Sequence, residues 1–301
     1  MIRFLAPLIL LPLAACATAD GARQPEAASV RPAFASERLS VEVVGSGPDV
    51  LLIPGLSSSP DVWRSTVAAV PGYRYHLVHV AGFAGKPAAA NGSGPVVEPV
   101  AEEIARYIRE AGLKTPAIVG HSLGGTWAMR VAGRNPGLVS RVMVVDMMPF
   151  LGAMFGGPRA TVESVRPIAE QMRTGIATSA GEARRKQVEQ TIAGMVRTEA
   201  LRPQIVEHSL ASDPAASGQA MYDLVTSDFR PDVAKIKVPL TVLYVRPAGA
   251  PVTDAQMEQY YAMSYSGASQ AVLKRIPDSY HFIMFDAPDA FRSELKAFLA
   301  K

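Results

Sequence analysis

From about residue 36 to the C-terminus, short apolar runs alternate with stretches whose apolar residues recur every three or four positions. The runs are rich in Val, Ile and Leu and are bounded by Gly, Pro or Asp, which is typical of buried strands, whereas the stretches between them have the spacing of a helix with one buried face. This alternation predicts an α/β fold with a mostly parallel sheet that helices cover on both faces. The predicted strands are RLSVEVVG, DVLLIPG, YRYHLVHVAG, PAIVGH, RVMVVDM, LTVLYVR and AVLKRIP, and the predicted helices cover residues 61–70, 97–111, 123–135 and 288–299.

One segment, residues 150–230, breaks this alternation. It has no strong strand pattern, and the sequences TVESVRPIAEQMRTGIA and ARRKQVEQTIAGMVRTEA within it have helical spacing. Both signs of charge alternate along these helices, which is typical of solvated helix faces. We therefore predict a helical cap that is inserted into one α/β domain, and this domain consists of residues 36–149 and 231–301.

The first 16 residues have the pattern of an export signal. The basic segment MIR precedes the apolar segment FLAPLILLPLA, which has the length of a signal peptide and is too short for a membrane span. The sequence LAAC at 13–16 resembles the lipobox of bacterial lipoproteins, in which the signal is cut before a cysteine that becomes acylated. We predict lipidation at Cys16, a flexible tether over residues 17–35, and a lipid-anchored protein of the cell envelope that faces the periplasm, with Ala17 favouring the outer membrane. An ordinary cleavage site with an incidental cysteine is the alternative.

The composition fits one large globular domain. Of 301 residues, 49% are hydrophobic and 19% are charged, which is enough apolar material for a large core and too little charge for a disordered chain. The net charge is only +3, and no run of Lys and Arg is interleaved with aromatic residues, so nothing favours nucleic-acid binding. Cys16 is the only cysteine, which excludes an intramolecular disulfide.

The sequence VGHSLGG, residues 119–125, contains the first candidate for chemistry. Its G-x-S-x-G motif lies between a predicted strand and a predicted helix. A sharp turn at this place needs small neighbours, hence Gly120 and Gly124, and it puts the Ser122 hydroxyl at a helix N-terminus, where the partial positive charge favours a developing anion. We interpret Ser122 as a nucleophile, and a serine that merely caps the helix is the alternative.

Four sequences along the chain share the pattern of one known family: LIPGLSSSPDVW at 52–63, VGHSLGG, VVDMMP at the end of the fifth predicted strand, and SYHFIMFDAPDAF at 279–291. Through them the chain resembles, over most of its length, the α/β-hydrolase family. The first resembles the H-G-x loop of the family, with Pro54 in place of the usual histidine. The resemblance implies the α/β-hydrolase fold and an oxyanion hole formed by the backbone amides of Leu56 and Leu123. Because both donors are backbone groups, the proline affects the geometry of the loop rather than the mechanism.

The resemblance also selects the base among the five histidines. Only His281 follows the last predicted strand and precedes the last predicted helix, where the family has its base, and it comes after Ser122 in the Ser, acid, His order of the family. His121 directly precedes Ser122 in the sharp turn of the G-x-S-x-G motif and is expected to point elsewhere. His76 and His79 lie three apart on one predicted strand, so they face opposite sides of it and make a poor metal pair.

The acid departs from the commonest pattern of the family. Most relatives have it just after the strand that corresponds to LTVLYVR, yet the first carboxylate that follows this strand here is Asp254. Asp146 ends the preceding predicted strand, 24 residues after Ser122, which is similar to those haloalkane dehalogenases whose acid lies at the end of that strand. Since the tips of parallel strands converge at one edge of the sheet, Asp146 is the predicted acid. Asp254 is the first alternative, followed by Asp228 and Asp278.

The expected chemistry is acyl transfer, in which His281 takes the Ser122 proton, the aspartate orients the imidazole ring and water releases the acyl group. We expect a carboxylesterase-like serine hydrolase that cleaves a small to medium, largely apolar ester, and no metal or organic cofactor is implied. Amidase, lactonase, thioesterase, acyltransferase or cofactor-free haloperoxidase chemistry would use the same residues. A non-catalytic binding lipoprotein is the alternative from another class, and the missing acid after LTVLYVR is the feature that favours it.

Overall fold

The computed structural model describes Met1 and residues 34–157, 159–246 and 249–300. The predicted signal peptide beyond Met1, the predicted lipidation site Cys16 and residues 17–33 of the predicted tether lie outside the described residues. The described residues from 34 onward belong to one compact unit. None of the described helices combines the length and the apolar character that a bilayer crossing requires.

The core of the fold is one sheet, and each of its seven strands falls within one of the predicted strands. The strands are β1 Leu39–Gly45, β2 Asp49–Ile53, β3 Arg74–Val80, β4 Ala117–His121, β5 Arg141–Val145, β6 Leu240–Tyr244 and β7 Ala271–Arg275. Their order across the sheet is β1-β3-β2-β4-β5-β6-β7. β1 pairs antiparallel with β3, and every other pair is parallel. The predicted α/β fold with a mostly parallel sheet is confirmed.

The central strands are continuous apolar runs because both of their faces are covered. In β2, Leu51 and Ile53 belong to one hydrophobic cluster, whereas Val50 and Leu52 belong to a second cluster. Successive side chains of a strand point to opposite faces, so a strand between two layers of helices needs an apolar residue at every position. The edge strands β1 and β7 are partly exposed.

Twelve α-helices and three short 3-10 helices occur in the described residues. The α-helices are α1 Arg64–Ala69, α2 Val97–Glu110, α3 Leu123–Arg134, α4 Ala153–Gly156, α5 Val162–Thr178, α6 Gly181–Met195, α7 Arg202–Ala211, α8 Pro214–Val225, α9 Arg230–Val233, α10 Asp254–Ser264, α11 Ile283–Asp286 and α12 Pro288–Leu299. The 3-10 helices are Pro60–Trp63, Ala89–Asn91 and Glu199–Leu201. The four helices predicted outside the cap correspond to α2, α3, α12 and α1 with the 3-10 turn before it. The sequence did not predict α10, because its apolar residues have no marked period and only Met257 and Tyr261 are buried.

The cap consists of the helices between β5 and β6. Within it, α5 packs along α8 and α6 packs along α7. Phe150, Val165 and Val225 form part of a small hydrophobic cluster of its own. The last of these helices, α9, packs against α3 of the core, since a Cβ on Gly133 would lie 2.3 Å from the Asp232 carbonyl oxygen. The chain is therefore back in contact with the core shortly before β6 begins.

Candidate active site

Ser122 lies in the sharp turn between β4 and α3. Its φ of 53° and ψ of −124° are a strained combination for a residue with a side chain. The neighbouring glycines make this turn possible: a Cβ on Gly120 would lie 2.0 Å from the Gly124 carbonyl oxygen, and a Cβ on Gly124 would lie 2.2 Å from the Ile53 carbonyl oxygen. The Ser122 amide donates to the Val145 carbonyl oxygen at 2.9 Å. This hydrogen bond ties the turn to β5.

The two predicted oxyanion donors, the amides of Leu56 and Leu123, lie on two segments that meet at Ser122, the loop after β2 and the first turn of α3. Leu123 is the first residue of α3, and the first amides of a helix have no carbonyl partner within the helix. Among the hydrogen bonds of the described residues, neither the Leu123 amide nor the Leu56 amide acts as a donor. Gly55 packs directly against the turn of residues 120–124, which holds the predicted nucleophile and is called the nucleophile turn below, since a Cβ on Gly55 would lie 2.9 Å from the Ser122 Cβ. Pro54 therefore does not keep this loop away from the serine.

Asp146 and His281 are joined by a short hydrogen bond. Asp146 follows β5 directly, and His281 lies in the loop between β7 and α11. The His281 Nδ1 donates to Asp146 Oδ2 at 2.6 Å. Because a carboxylate can only accept, Nδ1 carries the proton and Nε2 is the basic ring nitrogen. The side chains are 21% exposed for His281 and 9% exposed for Asp146, so the histidine remains accessible while the carboxylate is shielded.

The second oxygen of Asp146 is held by two donors that the sequence analysis missed. Asp146 Oδ1 accepts hydrogen bonds from the Val245 amide at 3.1 Å and from the Tyr261 hydroxyl at 3.0 Å. Burial, together with the neighbouring Asp146 carboxylate, holds the pKa of the Tyr261 phenol well above its usual range, so the phenol stays protonated and donates. Val245 directly follows β6, the parallel neighbour of β5, so its proximity follows from the strand order. No sequence pattern pointed to Tyr261.

The alternative acids make other contacts. Asp254 pairs with two arginines at 2.8 and 3.0 Å, and Asp228 pairs with one arginine at 2.6 Å. The Asp278 side chain is 86% exposed. Among the described residues, no hydrogen bond joins any of these three carboxylates to His281. The geometry therefore favours Asp146.

His121 connects the nucleophile turn to the loop of residues 276–282, which holds the predicted base His281 and is called the base loop below, so the expectation that His121 points elsewhere was wrong. Its Nε2 donates to the His281 carbonyl oxygen at 3.0 Å, and the centroids of the two rings are 4.6 Å apart. Complete burial, with a smaller contribution from His281, holds the pKa of the His121 imidazole well below its usual range. His121 is therefore neutral at neutral pH.

The other three histidines lie elsewhere. His76 contacts a tyrosine hydroxyl at 2.6 Å and a carboxylate at 2.9 Å, and His79 donates to a backbone carbonyl oxygen at 2.9 Å. The His208 Nε2 is 3.2 Å from the Ser59 hydroxyl. In the part of the chain that the structure describes, no group of three or more His, Cys, Asp or Glu side chains is arranged to hold a metal ion.

Known proteins resemble the chain over most of its length. The pimeloyl-[acyl-carrier protein] methyl ester esterase of Vibrio atlanticus is 26% identical over 273 residues, which are 88% of this chain and 100% of that protein. The esterase of the same name from Nitrosospira multiformis is 24% identical over 265 residues, 86% of this chain and 97% of that protein.

Solved structures share the fold. An esterase from Exiguobacterium antarcticum has a TM-score of 0.72 at 17% identity, over 87% of this chain and 96% of its own. An enol-lactonase from Burkholderia xenovorans has a TM-score of 0.69 at 17% identity, with the same coverage of both chains. Residues 50–294 match the sequence profile of the Alpha/beta hydrolase family. The chain belongs to the α/β-hydrolase family.

Proposed function

We propose that the protein is a serine hydrolase that cleaves small to medium, largely apolar carboxylic esters through an acyl-enzyme intermediate. The observation that carries the proposal is the 2.6 Å hydrogen bond between His281 and Asp146 in a fold that also holds Ser122 in a strained turn. In the proposed reaction, His281 Nε2 takes the Ser122 proton as the serine oxygen attacks the ester carbonyl, and Asp146 stabilises the imidazolium. The amides of Leu56 and Leu123 donate to the oxyanion.

The intermediate then collapses, and His281 returns the proton to the departing alcohol. In the second half of the reaction His281 takes a proton from water as the water oxygen attacks the acyl carbonyl. His281 then returns this proton to the Ser122 oxygen as the bond between that oxygen and the acyl carbon breaks, and the carboxylic acid leaves. The proposed reaction does not require a hydrogen bond between Ser122 and His281 in the free enzyme, because the contact between a nucleophile and its base is often long before substrate binds and shortens in the Michaelis complex.

The names of the curated relatives favour a carboxylic ester, since they are methyl ester esterases. Since Ser122 stands where related dehalogenases and epoxide hydrolases have an aspartate nucleophile, neither of these chemistries is proposed.

The test is hydrolysis of a nitrophenyl ester series, from acetyl to palmitoyl, by the purified chain from residue 30 onward. Ser122→Ala should lower kcat by a factor on the order of 10⁴ or more. The matched control is Ser93→Ala, which changes an exposed serine and should leave kcat unchanged. Equal activity of Ser122→Ala and the unmodified protein would overturn the serine mechanism. A folded protein that turns over none of the esters would overturn the proposed substrate class, and amides and lactones would then be tried.

We also propose that the protein is exported and anchored by a lipid on Cys16, and the LAAC sequence at 13–16 supports this. In bacteria that are fed labelled palmitate, the full chain should carry the label and fractionate with membranes. Cys16→Ser should carry no label. If the full chain carries no label, or is absent from the membrane fraction, the proposal is contradicted.

A further inference from the structure

The backbone around His281 is fixed from three directions. The Tyr280 amide donates to Asp286 Oδ2 at 2.9 Å. The Phe282 amide donates at 3.2 Å to the carbonyl oxygen of the last residue of α6, and the His281 carbonyl oxygen accepts from His121 at 3.0 Å. Because residues 276–282 belong to no helix or strand, the position of the imidazole depends on these contacts.

The Asp286 carboxylate also binds the cap. It accepts from the Arg197 amide at 3.0 Å through Oδ2 and from the Thr198 amide at 2.8 Å through Oδ1. The Arg197 guanidinium donates in addition to the Asp278 carbonyl oxygen at 2.6 Å, which is a second contact between the cap segment after α6 and the base loop. One carboxylate therefore accepts three backbone N–H groups, two from the cap and one from the residue before His281.

These contacts give Asp286 a defined place in the fold. In the part of the chain that the structure describes, its carboxylate makes no ion pair, so peptide N–H groups rather than a cation satisfy it. Hydrogen bonds to an ionised acceptor are roughly twice as strong as bonds between neutral groups. The carboxylate thus links two segments strongly. One contains Arg197 and Thr198, which lie 89 and 88 residues before Asp286, and the other contains Tyr280, the residue before His281.

We propose that Asp286 is a positioning residue for the base: it joins the cap segment 197–198 to the base loop and so sets where the His281 imidazole stands. This inference rests on the proposed serine hydrolase function. Asp146 fixes the tautomer and orientation of the ring, while Asp286 fixes the peptide from which the ring projects. A misplacement of about 1 Å at a reacting group can lower the rate about 10²-fold, so the link matters to turnover although Asp286 does not touch the substrate.

The test compares Asp286→Ala and Asp286→Asn on the best ester of the nitrophenyl series. A fluorophosphonate that titrates reactive serines counts the active sites, and thermal unfolding shows that each variant is folded at the assay temperature. We expect Asp286→Ala to lower kcat per titrated site about 10- to 100-fold with little change in KM. Asp286→Asn should keep part of the activity, because its amide oxygen still accepts. The matched control is Asp289→Asn, which changes a 99% exposed carboxylate three residues further on and should leave kcat unchanged.

The outcomes separate this inference from the proposed function. Activity that survives in Ser122→Ala would overturn the proposed function whatever Asp286 does. If Ser122→Ala is inactive and folded Asp286→Ala has the kcat of the unmodified protein, the positioning role is overturned. A loss that disappears when kcat is expressed per titrated site would also overturn it, because Asp286 would then contribute only to folding. If Asp286→Ala does not fold, an unchanged kcat of Asp286→Asn overturns the inference, and a lowered kcat per site supports it.

Discussion

The nucleophile turn and the base loop are held by different kinds of contact. The turn around Ser122 is fixed by close approach of backbone to backbone, which only Gly120 and Gly124 permit. The base loop is fixed by hydrogen bonds to two carboxylates: that of Asp146, which lies 135 residues away in the chain, and that of Asp286, which also binds the cap. Ser122 therefore owes its position to close packing of the backbone, whereas His281 owes its position to the sheet and the cap together.

Because of this difference, we expect substitutions in the two regions to have different effects. A side chain added to the nucleophile turn has no space, so it disturbs the fold itself. A side chain exchanged near the base loop leaves the sheet intact and affects the geometry of proton transfer. We therefore expect changes at the turn to appear in stability, and changes near the base to appear in the rate.

The largest expected effect on the rate belongs to Asp146→Asn. An amide in place of Oδ2 no longer holds the imidazole in the Nδ1–H tautomer, so kcat should fall by a factor on the order of 10⁴. The fold should persist, because the remaining oxygen can still accept from Val245 and Tyr261. Ester hydrolysis and thermal unfolding measure the two effects. The control is Asp254→Asn, and a greater loss in this control than in Asp146→Asn would show that the acid is assigned wrongly.

The next effect concerns stability and belongs to Gly120→Ala. Since its Cβ would lie 2.0 Å from the Gly124 carbonyl oxygen, the turn must move, and we expect a loss of about 1–3 kcal/mol or more in the free energy of unfolding. The matched control is Gly175→Ala in α5, because a Cβ at this position meets no atom within 4 Å. Since alanine has a higher helix propensity than glycine, this substitution should stabilise the protein by up to about 1 kcal/mol. Urea unfolding measures both variants. Equal stability of Gly120→Ala and the unmodified protein would refute the steric account of the turn.

The smallest effect concerns His121, which joins the two regions. Burial holds the pKa of its imidazole below that in the unfolded chain, which is about 6.5, so the unfolded state binds a proton more readily. The free energy of unfolding should therefore decrease as the pH falls below about 6.5. His121→Gln keeps an N–H donor near the His281 carbonyl oxygen and has no titratable group, so its Tm should fall less between pH 7 and pH 5.

Part of the loss should remain in this variant, because burial also lowers the pKa values of His76, His79 and His208. The comparison of Tm at the two pH values is made on both proteins in the same buffers. Identical losses would show that His121 contributes nothing to the pH dependence.

The sequence predicted best what depends on local pattern. The strands were recognisable because a strand covered on both faces is a continuous apolar run, and Ser122 because its turn needs glycines at fixed offsets. The sequence left four aspartates as candidates for the acid, because the ion pairs that Asp254 and Asp228 form with arginines are known only from the structure. Tyr261 contacts Asp146 across 115 residues, and a contact of that length leaves no local pattern. Asp286 was unpredictable for the same reason.

The cap leaves the sheet at the end of β5 and returns at its parallel neighbour β6, where the Asp146 amide donates to the Leu243 carbonyl oxygen at 2.7 Å. The entropy of closing an inserted segment rises only with the logarithm of its length, so doubling the cap would destabilise this strand pair by only about 0.6 kcal/mol. A change in the length of the cap therefore has little effect on the stability of the sheet and on the position of Asp146, the residue that follows β5. The segment around Arg197 is less free to vary, because every new cap must again deliver two amides to the carboxylate of Asp286.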